Sequence, residues 1–175
     1  MMAVYYWAFI NPAKKRNNFY SVVFMAEKPI TENNNCFIPE ANPRDEEIAP
    51  LLKNARTIAI VGLSDKPTRD SHSVALYLME KGYRIIPVNP SCPEILGEKS
   101  YPDLLSIKDK VDIVDIFRKT EFIPEIIDEA IQIKAGAVWM QLGLSHDQAA
   151  LKAREAGLMV IQAKCIKIDH AILLG

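Results

Sequence analysis

Residues 57–73 read TIAIVGLSDKPTRDSHS. An apolar run, Thr57 to Val61, ends at a single glycine, Gly62. A polar, cationic loop with Ser64, Lys66, Arg69 and Ser71 follows, and an amphipathic segment from Ser73 to Lys81 stops at Gly82. Strand, glycine loop and helix in that order form the corner at which a doubly wound sheet offers backbone N–H groups to a phosphate. The usual codes are absent from it. No further glycine stands at the G-x-G-x-x-G spacing, and no Gly-Lys-Ser/Thr ending follows, so the loop is neither the dinucleotide fingerprint nor a P-loop.

Outward from this corner the pattern repeats. Asn42-Pro43 before Asp45, Glu46 and Glu47 reads as an N-cap, a first-turn proline and an acidic first turn, opening a helix to about Asn54. Strands are expected at Thr57–Val61, Tyr83–Val88, Val111–Phe117, Ala137–Leu142 and Leu158–Ala163. Helices are expected at about Ser71–Lys81, at Glu121–Lys134 capped by Thr120, and at Gln148–Glu155 capped by Ser145, with a short one at Pro102–Ile107. Strands alternating with helices at this spacing give right-handed βαβ units and a mainly parallel, doubly wound sheet of five strands. The cores IAIV, RIIPV, IVDIF, AVWM and LMVI are almost wholly apolar, as strands are when helices cover both sheet faces in a three-layer α/β/α sandwich.

Composition bounds the function. The 175 residues suit one domain with a modest extension, expected at 43–175 and 1–42. A net charge of −1 gives no general attraction to nucleic acid or to a membrane surface. No apolar run approaches the ~20 residues that span a bilayer. Cys36, Cys92 and Cys165 are widely spaced and form no C-x-x-C pair, which suggests neither a disulfide framework nor a metal module and makes a cytoplasmic setting the expectation. Residues 1–25 hold half of the chain's aromatics, with Lys14, Lys15 and Arg16 and no acid. They are read as a flexible extension, or as an over-long start ahead of Met25, rather than as a docking arm.

Ligands of open α/β sheets sit at the carboxyl ends of the strands, where the strand order reverses. The residues leaving those ends are Gly62 to Ser71, Val88-Asn89-Pro90, Phe117-Arg118-Lys119, Gln141 with Gly143, and Lys164-Cys165. Lys66, Arg69, Arg118 and Lys119 gather there, which implies a multiply charged anion. An NAD site places Asp or Glu at the end of the second strand for the ribose 2′-hydroxyl. Asn89 stands there instead, which speaks against NAD. No Ser-His-Asp, Cys-His or paired-carboxylate set stands out at these ends, so no catalytic residue is assigned, and no metal site either.

These segments, with YRIIPVNPSCPEILGEKSY, VDIVDIFRKTEFIPEIIDEAI, AVWMQLGL and AGLMVIQAKCIKIDH, resemble the small stand-alone CoA-binding proteins, which are similar to the N-terminal domain of the succinyl-CoA synthetase alpha subunit. The likeness runs in order from about Arg44 to His170. It implies a Rossmann-like fold that binds coenzyme A. Carried over, the glycine loop is Gly62, Ser64, Lys66, Pro67, Arg69 and Ser71, facing the phosphates. Val88, Asn89 and Pro90 then lie near the adenosine, Phe117, Arg118 and Lys119 form the third strand's loop, and Trp139 to Gly143 form the fourth's. The synthetase subunit carries its phosphorylated histidine on a second domain, which this sequence does not include, so ligase chemistry does not carry over. The synthetase's lysines after strand two are replaced here by SCPEILGE, and Arg69 or Arg118 is the expected contact to the CoA 3′-phosphate.

Two functions remain open: a non-catalytic module that binds CoA or an acyl-CoA, and an enzyme acting on an acyl-CoA or nucleotide, with or without a partner subunit. Cys165 is read as a small buried residue at the sheet end, ahead of a thiol that exchanges with the CoA thiol or is activated by His170. Phe117 is a candidate cover for an adenine face. Trp139 and Met140 are read as core.

Overall fold

The computed structural model describes residues 42–175. The expectations for residues 1–41 fall outside the described residues. Seven strands follow in chain order: β1 Thr57–Val61, β2 Arg84–Val88, β3 Glu94–Ile95, β4 Glu98–Lys99, β5 Ile113–Ile116, β6 Ala137–Met140 and β7 Met159–Ile161. The helices are α1 Asp45–Asn54, α2 Asp70–Glu80, α3 Ile123–Gln132, α4 Asp147–Glu155 and α5 Ile166–Leu173. Five strands make one sheet in the order β2-β1-β5-β6-β7, with every pairing parallel. This is the Rossmann-like, doubly wound α/β fold expected from the sequence. The chain order reverses between β1 and β5, so the switch point lies where Gly62 and Phe117 leave the sheet.

Alternate residues of each strand serve opposite faces. Ala59, Val61, Ile86, Val114, Ile116, Val138 and Met140 pack against Ile123, Ile126, Ile127 and Ala130 of α3 and the alanines 149, 150 and 153 of α4. Ile58, Ile60, Ile85, Ile113, Trp139 and Ile161 pack against α1, α2 and α5 through Ile48, Leu52, Val74, Leu78 and Ile166. Each of the larger aliphatic side chains among these, fully buried, contributes about 1.5–3 kcal/mol. Trp139 is fully buried and its indole N–H donates to the Lys164 carbonyl at 2.8 Å, so Trp139 and Met140 are core as read.

Several local expectations are corrected. α1 starts beyond Pro43, and Asn42 is not its cap. The Asn42 amide instead faces the open side of β7: Nδ2 donates to the Gln162 carbonyl and Oδ1 accepts from the Gln162 N–H, each at 2.7 Å. Residues 102–107 form no helix. Asp103 Oδ1 accepts from both the N–H and the hydroxyl of Ser106 at 2.7 Å, and Leu104 N–H donates to Glu129, which closes a turn in place of a helix. Thr120 does not cap α3 with its side chain and instead opens a 3₁₀ turn, 120–122. His146, not Ser145, caps α4, its Nδ1 accepting from Ala149 N–H at 3.2 Å. The β3–β4 hairpin and α5 were not foreseen.

Candidate functional site

The corner after β1 is built tightly. Gly62 has φ +86°, and a Cβ there would stand 2.9 Å from Arg118 Cδ and 3.0 Å from the Phe117 carbonyl oxygen. Gly62 N–H donates to the Val88 carbonyl and Phe117 N–H to the Val61 carbonyl, both at 2.9 Å. The backbones of β1, β2 and β5 therefore close around a position only glycine fills. The loop beyond is braced from within: Ser64 N–H donates to Ser71 Oγ at 3.1 Å, and Lys66 N–H to Ser64 Oγ at 3.2 Å. Each hydroxyl accepts in these bonds and keeps its own proton to donate. His72 N–H and Ser73 N–H bond back to the Arg69 carbonyl as α2 begins.

Two clefts open at the strand ends. The smaller, about 260 Å³, is lined by Val61, Gly62, Val88 and Pro90 from the sheet side and by Pro102, Phe122 and Ile126 opposite. Its rim carries Asp103, Glu125 and Glu129 against Arg118. Burial raises the Glu129 carboxyl above its usual range, and Asp103 and Glu125 push it the same way, against the hydrogen bond from Leu104 N–H. The larger cleft, about 640 Å³, runs along the other face between α2 and α5. Val74, Phe117, Leu142 and Ile168 give it apolar walls, Arg118, Lys119 and Lys167 give it positive charge, and Asp70 a negative one. Gln141 and Cys165 also line it.

Arg118 lines both clefts. Its guanidinium lies 4.6 Å from the centre of the Phe122 ring, a cation–π contact that holds an exposed arginine over the switch point.

The predicted site residues divide accordingly. Gly62, Val88, Pro90 and Arg118 meet in the smaller cleft, and Phe117, Arg118, Lys119 and Gln141 in the larger. Lys66, Pro67 and Arg69 are exposed and line neither. Ser64 and Ser71 brace the loop. Asn89 ties two loops together: Nδ2 donates to the Leu63 carbonyl and Oδ1 accepts from Ser91 N–H, both at 2.9 Å. Gly143 turns the chain at φ +77° outside both clefts. Cys165 is half-buried on the cleft wall rather than packed away. His170 serves another part of the fold: its Nδ1 meets Tyr77 Oη at 3.0 Å, and it lines a third cleft with Arg56, Lys81 and Tyr83. Burial, then the charge of Lys81, lowers its pKa.

Some cleft residues were missed. Lys167, bonded to Ser73 Oγ at 3.2 Å, came with the unforeseen α5. The acids Asp103, Glu125 and Glu129 lie on a turn and a helix face, not at a strand end. Asp115, inside the IVDIF strand core, was not among the expected site residues. It is fully buried, its Oδ1 accepts from Gln141 Nε2 at 2.8 Å, and burial raises its carboxyl to about 7. Among the described residues no group of three His, Cys, Asp or Glu is arranged to hold a metal ion, and no helix is long and apolar enough to cross a membrane.

Comparison with known proteins gives this geometry its setting. The sequence model of a family described as "CoA binding domain" matches residues 56–171. The chain is similar to an uncharacterized protein, YneT, of Bacillus subtilis, with 41% identity over 131 residues, covering 75% of this chain and 97% of that protein. A region of an ADP-forming acetate–CoA ligase (II) of Archaeoglobus fulgidus is 33% identical over 96 residues, or 53% of this chain and 14% of the ligase. Among solved structures, a hypothetical protein from Pyrococcus horikoshii superposes with a TM-score of 0.74 at 41% identity, over 79% of this chain and 100% of that one.

Proposed function

The chain belongs to the CoA-binding domain family, and from that premise we propose that it binds coenzyme A, free or acylated, at the carboxyl ends of its strands as a small non-catalytic module. The observation that carries the reading is Arg118, which lines both clefts beside Gly62 at the switch point. A ligand with an adenosine at one end, phosphates in the middle and a long arm at the other spans that arrangement. The adenosine takes the smaller cleft, between Val88, Pro90 and Phe122. The rim carboxylates there accept from an amine or hydroxyl and repel phosphate, which keeps the phosphates on the Gly62 side.

The pyrophosphate rests on the Gly62 corner and the start of α2, where N–H groups and the positive end of the helix dipole meet it. A Cβ at Gly62 would press on Arg118 and on the Phe117 carbonyl beside it. Lys66 and Arg69 approach the phosphates from the loop, with Ser64 and Ser71 shaping it, and Arg118 or Arg69 reaches the 3′-phosphate. The arm lies in the larger cleft along Phe117, Gln141 and Leu142, toward Cys165. Lys119, Asn89, Pro67 and Gly143 hold the loops that frame it.

A charge-assisted contact is worth about 1.5–3 kcal/mol. Arg118→Ala should then weaken CoA roughly ten- to a hundredfold, since ~1.4 kcal/mol is tenfold. Isothermal titration with CoA, dephospho-CoA and NAD tests the reading. Absence of CoA binding at millimolar ligand, or NAD binding as tight as CoA, overturns it.

The likeness to part of an ADP-forming acetate–CoA ligase favours one other reading, an enzyme acting on acyl-CoA together with a partner subunit. Turnover of acyl-CoA thioesters by the purified protein would decide for it.

A further inference from the structure

Asp115 is a buried carboxyl in an otherwise apolar sheet face. It lies on β5 between Ile60 and Trp139 of the neighbouring strands and is 0% exposed. A buried polar group costs free energy unless it is hydrogen-bonded. One oxygen, Oδ1, accepts from Gln141 Nε2 at 2.8 Å. The other, Oδ2, has no partner among the described residues. An aliphatic side chain would pack there at less cost, so the carboxyl has a reason beyond packing.

That reason is the orientation of Gln141. This residue follows β6 directly, is 5% exposed, and lines the larger cleft. An amide has a donor end and an acceptor end. Asp115 Oδ1 accepts from the Gln141 NH₂ at 2.8 Å, which turns that end of the amide inward. The Oε1 end is left with no protein donor among the described residues. The wall around it is apolar at Val74, Phe117 and Leu142. A pocket of this kind fixes a ligand through a few placed polar groups in an apolar lining.

We propose, resting on the CoA reading above, that Gln141 Oε1 accepts an amide N–H from the pantetheine arm of CoA, and that Asp115 is the positioning residue that holds the Gln141 amide for it. The site thereby reads the arm separately from the nucleotide. A thiol arm without an amide at that point would find an unpaired acceptor.

The experiment is titration calorimetry on the full chain with CoA and with 3′-phospho-ADP, the nucleotide part that lacks the arm. A single hydrogen bond is worth about 0.5–1.5 kcal/mol, so Gln141→Met should weaken CoA roughly three- to tenfold and leave 3′-phospho-ADP unchanged. Asp115→Leu should do the same. Asp115→Asn, whose Oδ1 still accepts from Gln141, should restore CoA affinity, which a role in packing alone would not require. Should Asp115→Leu fail to fold, Gln141→Met decides alone. Unchanged CoA affinity in Gln141→Met, or an equal loss for both ligands, overturns the inference while leaving the CoA reading intact. If the wild type binds neither ligand, the CoA reading fails first and this inference with it.

Discussion

Replacing Gly62 with alanine probes the corner on which the proposed site is built. At φ +86° an L residue costs about 1–2 kcal/mol. The added Cβ then meets two neighbours at 2.9 and 3.0 Å. Arg118 Cδ belongs to an exposed, flexible chain and can yield. The Phe117 carbonyl cannot, because Phe117 N–H is held by Val61. Overpacking against fixed backbone adds about 1 kcal/mol or more. Against this, alanine narrows the unfolded ensemble and returns about 0.4–1 kcal/mol. The net is a loss of about 2 kcal/mol, or a fall in melting temperature of roughly 6–10 °C for a domain this size.

Gly82→Ala is the control. Its φ is +91°, but nothing lies within 4 Å of the added Cβ, so only the conformational cost applies. It should lose about 1 kcal/mol or less. Thermal melts by circular dichroism read both, and calorimetry with CoA reads the site. Gly62→Ala should weaken CoA at least tenfold, since Arg118 must move, and Gly82→Ala should not. Equal melting temperatures for the two variants, or wild-type CoA affinity in Gly62→Ala, would refute the tight-corner reasoning.

Asp115 makes stability depend on pH. Its carboxyl stands near 7 when folded, through burial, and near 3.8 when unfolded. The native state therefore binds the extra proton between those values, and stability falls as pH rises from about 4 to about 7, by up to ~1.4 kcal/mol per unit, then levels. Asp115→Asn should match the wild type near pH 4 in urea titration and exceed it by a few kcal/mol at pH 8; a gap that stays constant across pH would contradict this. Cys165→Ser should keep CoA affinity within about threefold, because His170 Nδ1 meets Tyr77 Oη rather than the thiol and serine is a good N-cap for α5. A tenfold loss would point to direct sulfur contact.

The sheet was legible because its strands are covered on both faces, so IAIV, IVDIF and AVWM read as near-continuous apolar runs. What was lost turns on local chemistry that composition does not announce. Leu96 and Gly97 both take positive φ, +57° and +78°, in the β3–β4 turn, and leucine is an unusual resident of that conformation. His146 caps α4 with a ring nitrogen where serine was the ordinary expectation. α5 begins with Cys165 at its cap position, where no serine, aspartate or proline marks the start. In the site, strand ends told where the clefts open but not which loop residues face them. Asn89, Ser64 and Ser71 brace the backbone, while the carboxylates of the smaller cleft come from residues far along the chain.

The two margins of the sheet also bear on how copies of this chain meet. β2 carries Pro87, which offers no N–H outward, and the Pro87 carbonyl is taken by Tyr101 N–H at 2.9 Å. β7 is three residues long, and the Asn42 side chain pairs with both backbone groups of Gln162 just past its end, as a neighbouring strand would. Bare strand edges are templates for uncontrolled association. Pro87 with Tyr101 at one margin and Asn42 at the other leave fewer open backbone groups for a further strand to pair with.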